Sequence, residues 1–441
     1  MENESHSLEF EFEAHTVKNE IIKLIGVGGA GGNAVNYAHN IGINGVNYVI
    51  CNTDLQALKD SEVEIKIQLG PRLTEGLGAG NNPEQGRASA EEVIDDINNM
   101  LDDTKISIIC AGMGGGTGTG AAPVIAKKSK ERGILTIAIV NIPNFYEGKP
   151  RIKQAVRGLD ELYKNVDAIM IIRNDAIEEM YGDLRKSEML HKGDEIMAVA
   201  AKGLAEMISR KALVNVDYAD VRTAMFESGV TLMGSGEAVG PDRASEAVRK
   251  ALTSPLLNNR DIHGAKYILV MTYTSHDDEI RASEDKTLHT MLYEEMNNPE
   301  EGTIIWGNAF DDTLGETLRV TVIATGFAAD WSDLNNDRGR RVELRLDPQT
   351  GEVTELESSD DNDGLGEITE GSARTVTFQV DNIDTKINAL FGSNRDDEKA
   401  DVYALDNLLD AKVVTRDALS SELELQKLED EPAYVRMSRK E

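Results

Sequence analysis

Cysteine is almost missing from this chain: Cys51 and Cys110 are the only two in 441 residues. Two are too few for a disulfide framework or a zinc site, and each ends an apolar run, which reads as a buried, reduced thiol. Aromatic residues are sparse at 5%, which argues against a large aromatic-anchored binding surface. Positive charge is in deficit, with 46 Lys+Arg against 78 Asp+Glu and a formal net charge of -32. A surface that acidic repels phosphate backbones and anionic lipid heads, so neither nucleic acid nor direct membrane insertion is expected. No apolar run approaches the ~20 residues that span a bilayer. The amino-terminal MENESHSLEFEFEAHT is acidic where a signal peptide would be basic. The expectation is a cytoplasmic protein that holds any phosphorylated ligand with backbone amides or a few local cations.

What is present is a β/α alternation that begins at Ile21. Short β-branched runs fall at 21–26, 47–51, 64–69, 106–111, 134–140 and 168–173, with helical spacing between most of them. Near-continuous apolar strands alternating with helices predict an α/β fold with a parallel sheet covered on both faces. The stretch 194–210 (DEIMAVAAKGLAEMISR) places Ile196, Ala200, Leu204, Met207 and Ile208 on one stripe, widened by Ala198, Val199 and Ala201. This predicts a helix packed on more than one side. Strand candidates at 267–274, 303–310 and 319–325 predict a smaller α+β domain. Between Val342 and Lys427 there are 21 acidic and 8 basic residues, the composition of a solvated, disordered linker. The terminal EPAYVRMSRKE turns basic again and reads as a docking peptide or a frayed end.

Two glycine clusters carry the chemistry. The first, GVGGAGGNAVN from Gly26 to Asn36, follows a strand and contains Gly26-x-Gly28-x-x-Gly31, formally a dinucleotide fingerprint, with Asp54 about where a ribose-binding acid would fall. A helix starting near Asn33 would offer free amides and a positive dipole end. The second, AGMGGGTGTGAAP from Ala111 to Pro123, is only Gly and Thr over Gly114–Gly120. Consecutive unhindered amides wrap a phosphate, and Thr117 and Thr119 add hydroxyl donors. Pro123 suits a first helical turn and Gly133 its end. Two such loops on neighbouring strands suit a triphosphate better than a dinucleotide. The GxxxxGK[ST] signature is absent and neither loop has a lysine, so recognition falls to backbone dipoles and a bound cation.

The third feature is NVDYADV, Asn215 to Val221, after the long helix. One helical turn puts Asp217 and Asp220 on the same side. They are either a helix cap or a carboxylate pair that orients an attacking water. Sixteen helical residues already cover roughly 24 Å, so one subunit could hardly join this pair to the glycine loops.

GVGGAGGNAVN, NTD (52–54), GLGAGNNPEQGR (76–87), GMGGGTGTGAAP, NFYEGKPR (144–151), NVDYADV, GSG (234–236) and SPLL (254–257) together resemble the FtsZ family of bacterial tubulin-like division GTPases, over about Val17 to Ala328. The resemblance implies a GTP-binding domain over 18–193, a central helix over 194–212 and an α+β domain over 213–330. An acidic arm (1–17) would precede them, with a disordered linker (331–428) and a docking peptide (429–441) following. It implies phosphate contacts at Gly29, Ala30, Gly31, Gly32 and Asn33 and at Gly114, Gly115, Gly116, Thr117 and Gly118. Glu147 and Arg151 would neighbour the ribose and phosphates, and Asn174 and Asp194 would read guanine, with Glu195 as the alternative to Asp194. Asp217 and Asp220, supported by Asn215, would be the catalytic acids. They would act on GTP held by the next subunit of a head-to-tail homopolymer, with Mg²⁺ ligated mainly by phosphates and water. The terminal peptide would dock membrane-anchoring and regulatory partners at the mid-cell division site. Phe145-Tyr146 departs from the family's more usual single aromatic.

Two other readings compete. A Rossmann oxidoreductase would use Gly26, Gly28, Gly31 and Asp54, but leaves GGGTGTG without a role. A nucleotide-binding filament that does not hydrolyse would make the acidic pair a cap alone.

Overall fold

The computed structural model describes residues 21–43, 45–181, 185–209, 212–214, 216–254, 262, 264–296, 302–327, 341–346, 353–356, 374–379 and 386–387. The chain divides into a unit up to Ile387 and a second, Asn388–Glu441. The second unit, the arm 1–17, Asn215 and most of SPLL lie outside the described residues.

The first domain is built on seven parallel strands in the order β3-β2-β1-β4-β5-β6-β8. These are β1 (Ile22–Val27), β2 (Val46–Asn52), β3 (Ile65–Gln68), β4 (Ile106–Gly112), β5 (Leu135–Ile142), β6 (Ala168–Arg173) and β8 (Gly229–Val230). The central strands are buried along almost their whole length, which is why their sequences read as unbroken apolar runs rather than alternation. Around them lie α1 (Gly28–Ile41), α2 (Leu55–Asp60), α3 (Pro83–Glu92), α4 (Ile94–Met100), α5 (Thr117–Glu131), α6 (Lys149–Tyr163) and α7 (Asn174–Tyr181).

Two helices start earlier than the sequence suggests. α1 begins at Gly28, not near Asn33, because Gly28 itself turns the chain at φ +73°. Gly31 then presses α1 onto β4, so closely that a Cβ there would sit 2.1 Å from the Cys110 carbonyl oxygen. α5 begins at Thr117, which leaves Pro123 inside the helix rather than in its first turn. Half of the Gly/Thr run is therefore helical, and what it presents to a ligand is a helix amino terminus.

The long helix α8 (Lys186–Ser209) also starts eight residues before Asp194. Its small and aliphatic side chains are buried, including Ile196, Met197, Ala200, Leu204 and Met207. They share one core with Ile137 and Met170 of the first sheet and with Met233, Leu269 and Tyr273 of the second. Packing on more than one side is thus borne out, with a narrow polar strip where Lys192 pairs with Glu195 and Lys202 with Glu206.

The second sheet has the order β7-β11-β10-β12-β9, with β7 (Ala212–Val214), β9 (Leu232–Ala238), β10 (Tyr267–Thr274), β11 (Thr303–Phe310) and β12 (Leu318–Thr325). Only the β10–β11 pair is parallel. α9 (Tyr218–Met225) leads into β8 of the first sheet, while α10 (Arg243–Leu252) and α11 (Ala282–Met296) belong to the second domain. Arg243, only 3% exposed, is held by Asp278 and by both oxygens of Glu284. A buried guanidinium needs such partners to offset its lost hydration.

Within the span assigned by composition to the linker, three antiparallel strands are described: β13 (Arg341–Leu346), β14 (Val353–Leu356) and β15 (Arg374–Gln379), in the order β14-β13-β15. RVELRL, and RTVTFQ from Thr375 onward, alternate polar with apolar residues at the strand period, a pattern hidden when only net charge is counted, whereas VTEL does not alternate. Farther on, Lys386 is 5% exposed and its Nζ lies 2.5 Å from Asp160 Oδ2 on α6, 226 residues away.

Candidate functional site

A cavity of about 580 Å³ opens at the carboxyl end of the parallel sheet, where β–α turns of such sheets converge. Its floor comes from the ends of β1, β4 and β5 and the starts of α1 and α5: Val27, Gly29, Ala30, Gly112 and Gly115 to Gly118. A Cβ at Gly29 or Gly115 would meet nothing within 4 Å, so these backbones face open space. Gly118 is different, since a Cβ there would lie 2.4 Å from the Gly112 carbonyl oxygen. The α5 amino terminus, with its positive dipole end and unbonded amides, therefore lies against the end of β4 and borders the cavity.

Side chains hold this loop in shape. Gly114 N donates to Thr119 Oγ1 at 2.9 Å, and Gln154 of α6 donates to the carbonyls of Gly114 and Gly115 at 3.1 Å each. Thr117 Oγ1 lies 2.6 Å from Thr53 Oγ1. Thr117 thus lines the cavity with its hydroxyl already engaged, whereas Thr119 is absent from the lining.

The wall beyond β5 carries Asn141, Asn144, Tyr146, Glu147 and Arg151. Glu147 accepts from the Asn144 amide at 2.9 Å and pairs with Arg151 Nε at 3.0 Å. α7 and α8 close the far end with Asn174, Ile177, Met189, Gly193 and Asp194. Burial pushes the Asp194 carboxyl up to about 6, against a hydrogen bond from Asn33 and the charge of His191, which both lower it. Asp194 and Asn33 therefore tie α8 to α1 across the cavity. Glu195 faces elsewhere, paired with Lys192 at 2.8 Å.

Of the expected binding residues, Gly29, Ala30, Asn33, Gly115, Gly116, Thr117, Gly118, Glu147, Arg151, Asn174 and Asp194 line the cavity together. Gly31, Gly32 and Gly114 do not, and Gly31 is spent on the contact with β4. Asp54 caps α2, accepting from the Gln56 and Ala57 amides, and is no part of the lining. This removes the ribose acid that a dinucleotide enzyme would need. Asn141, Asn144, Tyr146 and Met189 were missed. The signal for the first two is polar residues closing an apolar strand, NIPN at 141–144.

Asp217 and Asp220 lie elsewhere. Asp217 caps α9, accepting from Asp220 N at 2.9 Å, while Asp220 Oδ2 accepts from Asp217 N at 3.3 Å. They form a reciprocal capping box, so the cap reading is correct as far as it goes. Arg222 of α9 reaches the Gly133 carbonyl at 3.5 Å, just before β5, and β8 pairs with the start of β6. The acidic turn therefore sits at the amino end of the sheet. From Leu135 to Asn141, β5 alone spans about 20 Å, and the cavity is at the other end.

A family model described as the Tubulin/FtsZ family GTPase domain matches residues 21–182, and one described as the FtsZ family C-terminal domain matches 229–328. Cell division protein FtsZ of Porphyromonas gingivalis is 38% identical over 418 residues, covering 94% of this chain and 85% of the relative. The chain belongs to the FtsZ family. The Aquifex aeolicus FtsZ is 42% identical over 313 residues, covering 69% of this chain and 83% of that one. Among solved structures, an empty FtsZ dimer from M. jannaschii superposes with a TM-score of 0.65 at 38% identity, covering 69% of this chain and 88% of that one. The fold is thus that of the tubulin/FtsZ GTPases, with both matched domains present; the cavity's lining residues lie within 21–182 apart from Met189, Gly193 and Asp194. FtsZ relatives are cell division proteins, and membership in this GTPase family implies GTP or GDP as the bound nucleotide.

Proposed function

We propose that this FtsZ-family protein hydrolyses GTP at a site shared between successive copies of a head-to-tail filament, the polymer that builds the division ring. The separation of the cavity from Asp217 and Asp220 across the parallel sheet carries this reading. One copy offers a backbone-lined cavity with no acid suited to activating water beside its glycine loops. Its two lining carboxylates are engaged, Glu147 with Arg151 and Asp194 with Asn33. The opposite end of the molecule offers a carboxylate pair that lines no part of this cavity. A heterologous contact that joins the two ends repeats without closing and gives an open polymer.

In this reading the α1 start at Gly29, Ala30 and Asn33 and the amides of Gly115 to Gly118 cradle the phosphates. Glu147 and Arg151 orient the ribose and its neighbouring phosphate. Asn174 and ionised Asp194 accept from the donor edge of guanine. Asp217 and Asp220 of the next copy, with Asn215 beside them, polarise and orient the attacking water. Among the described residues no cluster of acids or histidines suits a metal. Mg²⁺ would be held mainly by phosphate and water, where it would neutralise charge on the phosphates. The EPAYVRMSRKE peptide docks a membrane-anchored division partner at mid-cell.

The test is phosphate release from GTP and Mg²⁺ across a protein dilution series, followed together with light scattering. Turnover per subunit should be near zero when dilute and rise above a threshold concentration. Constant turnover down to monomeric concentrations would overturn the shared site.

A further inference from the structure

Among the described residues that line the cavity, Tyr146 is the only aromatic. It is 62% exposed, yet it is not loose. Asn144, itself 3% exposed, donates from Nδ2 to the Tyr146 hydroxyl at 2.7 Å. The same hydroxyl is bonded to Glu178 of α7; desolvation first, and then the Glu178 charge, raise the phenol above its ordinary value. Glu178 lies one helical turn beyond Asn174, on the same face of α7. The ring is thereby strung from the loop that carries Glu147 to the helix that carries Asn174, with its hydroxyl tethered at the far side. The α8 residues at this end, Met189, Gly193 and Asp194, contribute no aromatic face.

We infer that Tyr146 is a further binding residue of this site: its ring is the stacking face for the nucleobase, held in place by Asn144 and Glu178. The inference rests on the guanine-nucleotide reading of the cavity. A base whose edge meets Asn174 and Asp194 needs a flat apolar surface against its face, and only an aromatic supplies one that every purine can use. The tether removes the rotamer freedom that an exposed side chain would otherwise lose on binding. Tyr146 also explains why the loop NFYEGKPR can carry two adjacent aromatics: one continues the turn, and the other reaches α7.

The experiment uses the full chain, stripped of nucleotide, and compares wild type with Y146A and Y146F. GDP affinity is measured by calorimetry, and inorganic tripolyphosphate serves as a probe of the glycine loops alone. Y146A should bind GDP about tenfold more weakly or worse, the range that loss of one stacked base gives. Y146F should recover most of that affinity, because the ring remains. Tripolyphosphate should bind all three proteins equally. Wild-type affinity of Y146A for GDP overturns the inference. So does an equal loss of tripolyphosphate binding, which would mean damage to the loops, or a Y146F as weak as Y146A, which would put the role in the hydroxyl. A wild type that binds no GDP at all overturns the reading of the cavity itself.

Discussion

The two ends of the parallel sheet are chemically opposite. At the carboxyl end the chain builds a cavity whose floor is almost entirely backbone, from Gly29 and from Gly115 to Gly118. At the amino end it presents Asp217 and Asp220, bonded to each other's amides in the turn that starts α9. The first end has a backbone floor whose two lining carboxylates, Glu147 and Asp194, are already bonded to Arg151 and Asn33; the second has its acids in a helix-capping turn. The difference teaches how the proposed shared site divides its parts: binding surface at one end, acids at the other.

The strongest way to break this contrast is to fill the backbone floor. In Gly118→Val the new Cβ would press on the Gly112 carbonyl. GTP binding should be abolished in calorimetry, while the far end, and therefore the acids, stays intact. Next comes Asp220→Ala, which should leave GTP binding within about twofold. It should slow phosphate release at least ~100-fold, the low end for an acid–base group. Mixing the two inactive proteins should restore some turnover, since Gly118→Val subunits still carry Asp220. No recovery would count against acids acting from a neighbour.

A smaller effect, near tenfold per pH unit, belongs to Asp194. Its pKa of about 6 means that it is ionised, and able to accept from guanine, only above that pH. GDP affinity should therefore fall as pH drops below about 6. The ligand-free protein should respond with the opposite sign. Burial raises this acid above the ordinary ~3.9, so its ionisation costs stability, and the fold is favoured as pH falls from about 6 towards 4. Asp194→Asn should raise the apo melting temperature and weaken GDP binding, both checked by thermal scanning with and without nucleotide. The smallest effect is expected for Arg222→Ala, which loses the long contact to the Gly133 carbonyl and the stacking over Phe226. Stability should drop by about 1 kcal/mol or less, with GDP affinity unchanged.

Much of the first domain is readable from sequence because a parallel strand buried on both faces must be apolar throughout. Five of its seven strands are visible as such runs; β3 (IKIQ) is a largely exposed edge strand that alternates instead, and Gly229–Val230 is too short to stand out. Helix starts are less legible. Glycine is the poorest helix former apart from proline, so the runs that open α1 and α5 read as loops until the packing of Gly31 on Cys110 and of Gly118 on Gly112 is known. The site divides the same way. The glycine loops announce themselves by composition, whereas Asn144 and Tyr146 are ordinary polar residues until the fold points them at the cavity, as is Gln154 until α6 sets it against the Gly114 and Gly115 carbonyls.

By itself, then, the sequence determined the alternation of strands and helices, the two glycine-rich strand-to-helix turns, and the presence of a spaced carboxylate pair. These are local properties, set by side-chain period, backbone freedom and ionisable groups within a few residues. Only the tertiary structure decided which glycines face the cavity and which are buried in packing. It likewise put Asp194 rather than Glu195 at the cavity and seated the acidic turn on the far end of the sheet. Each of those depends on which segments meet across tens to hundreds of residues, and that is settled by how the whole core packs, α8 above all.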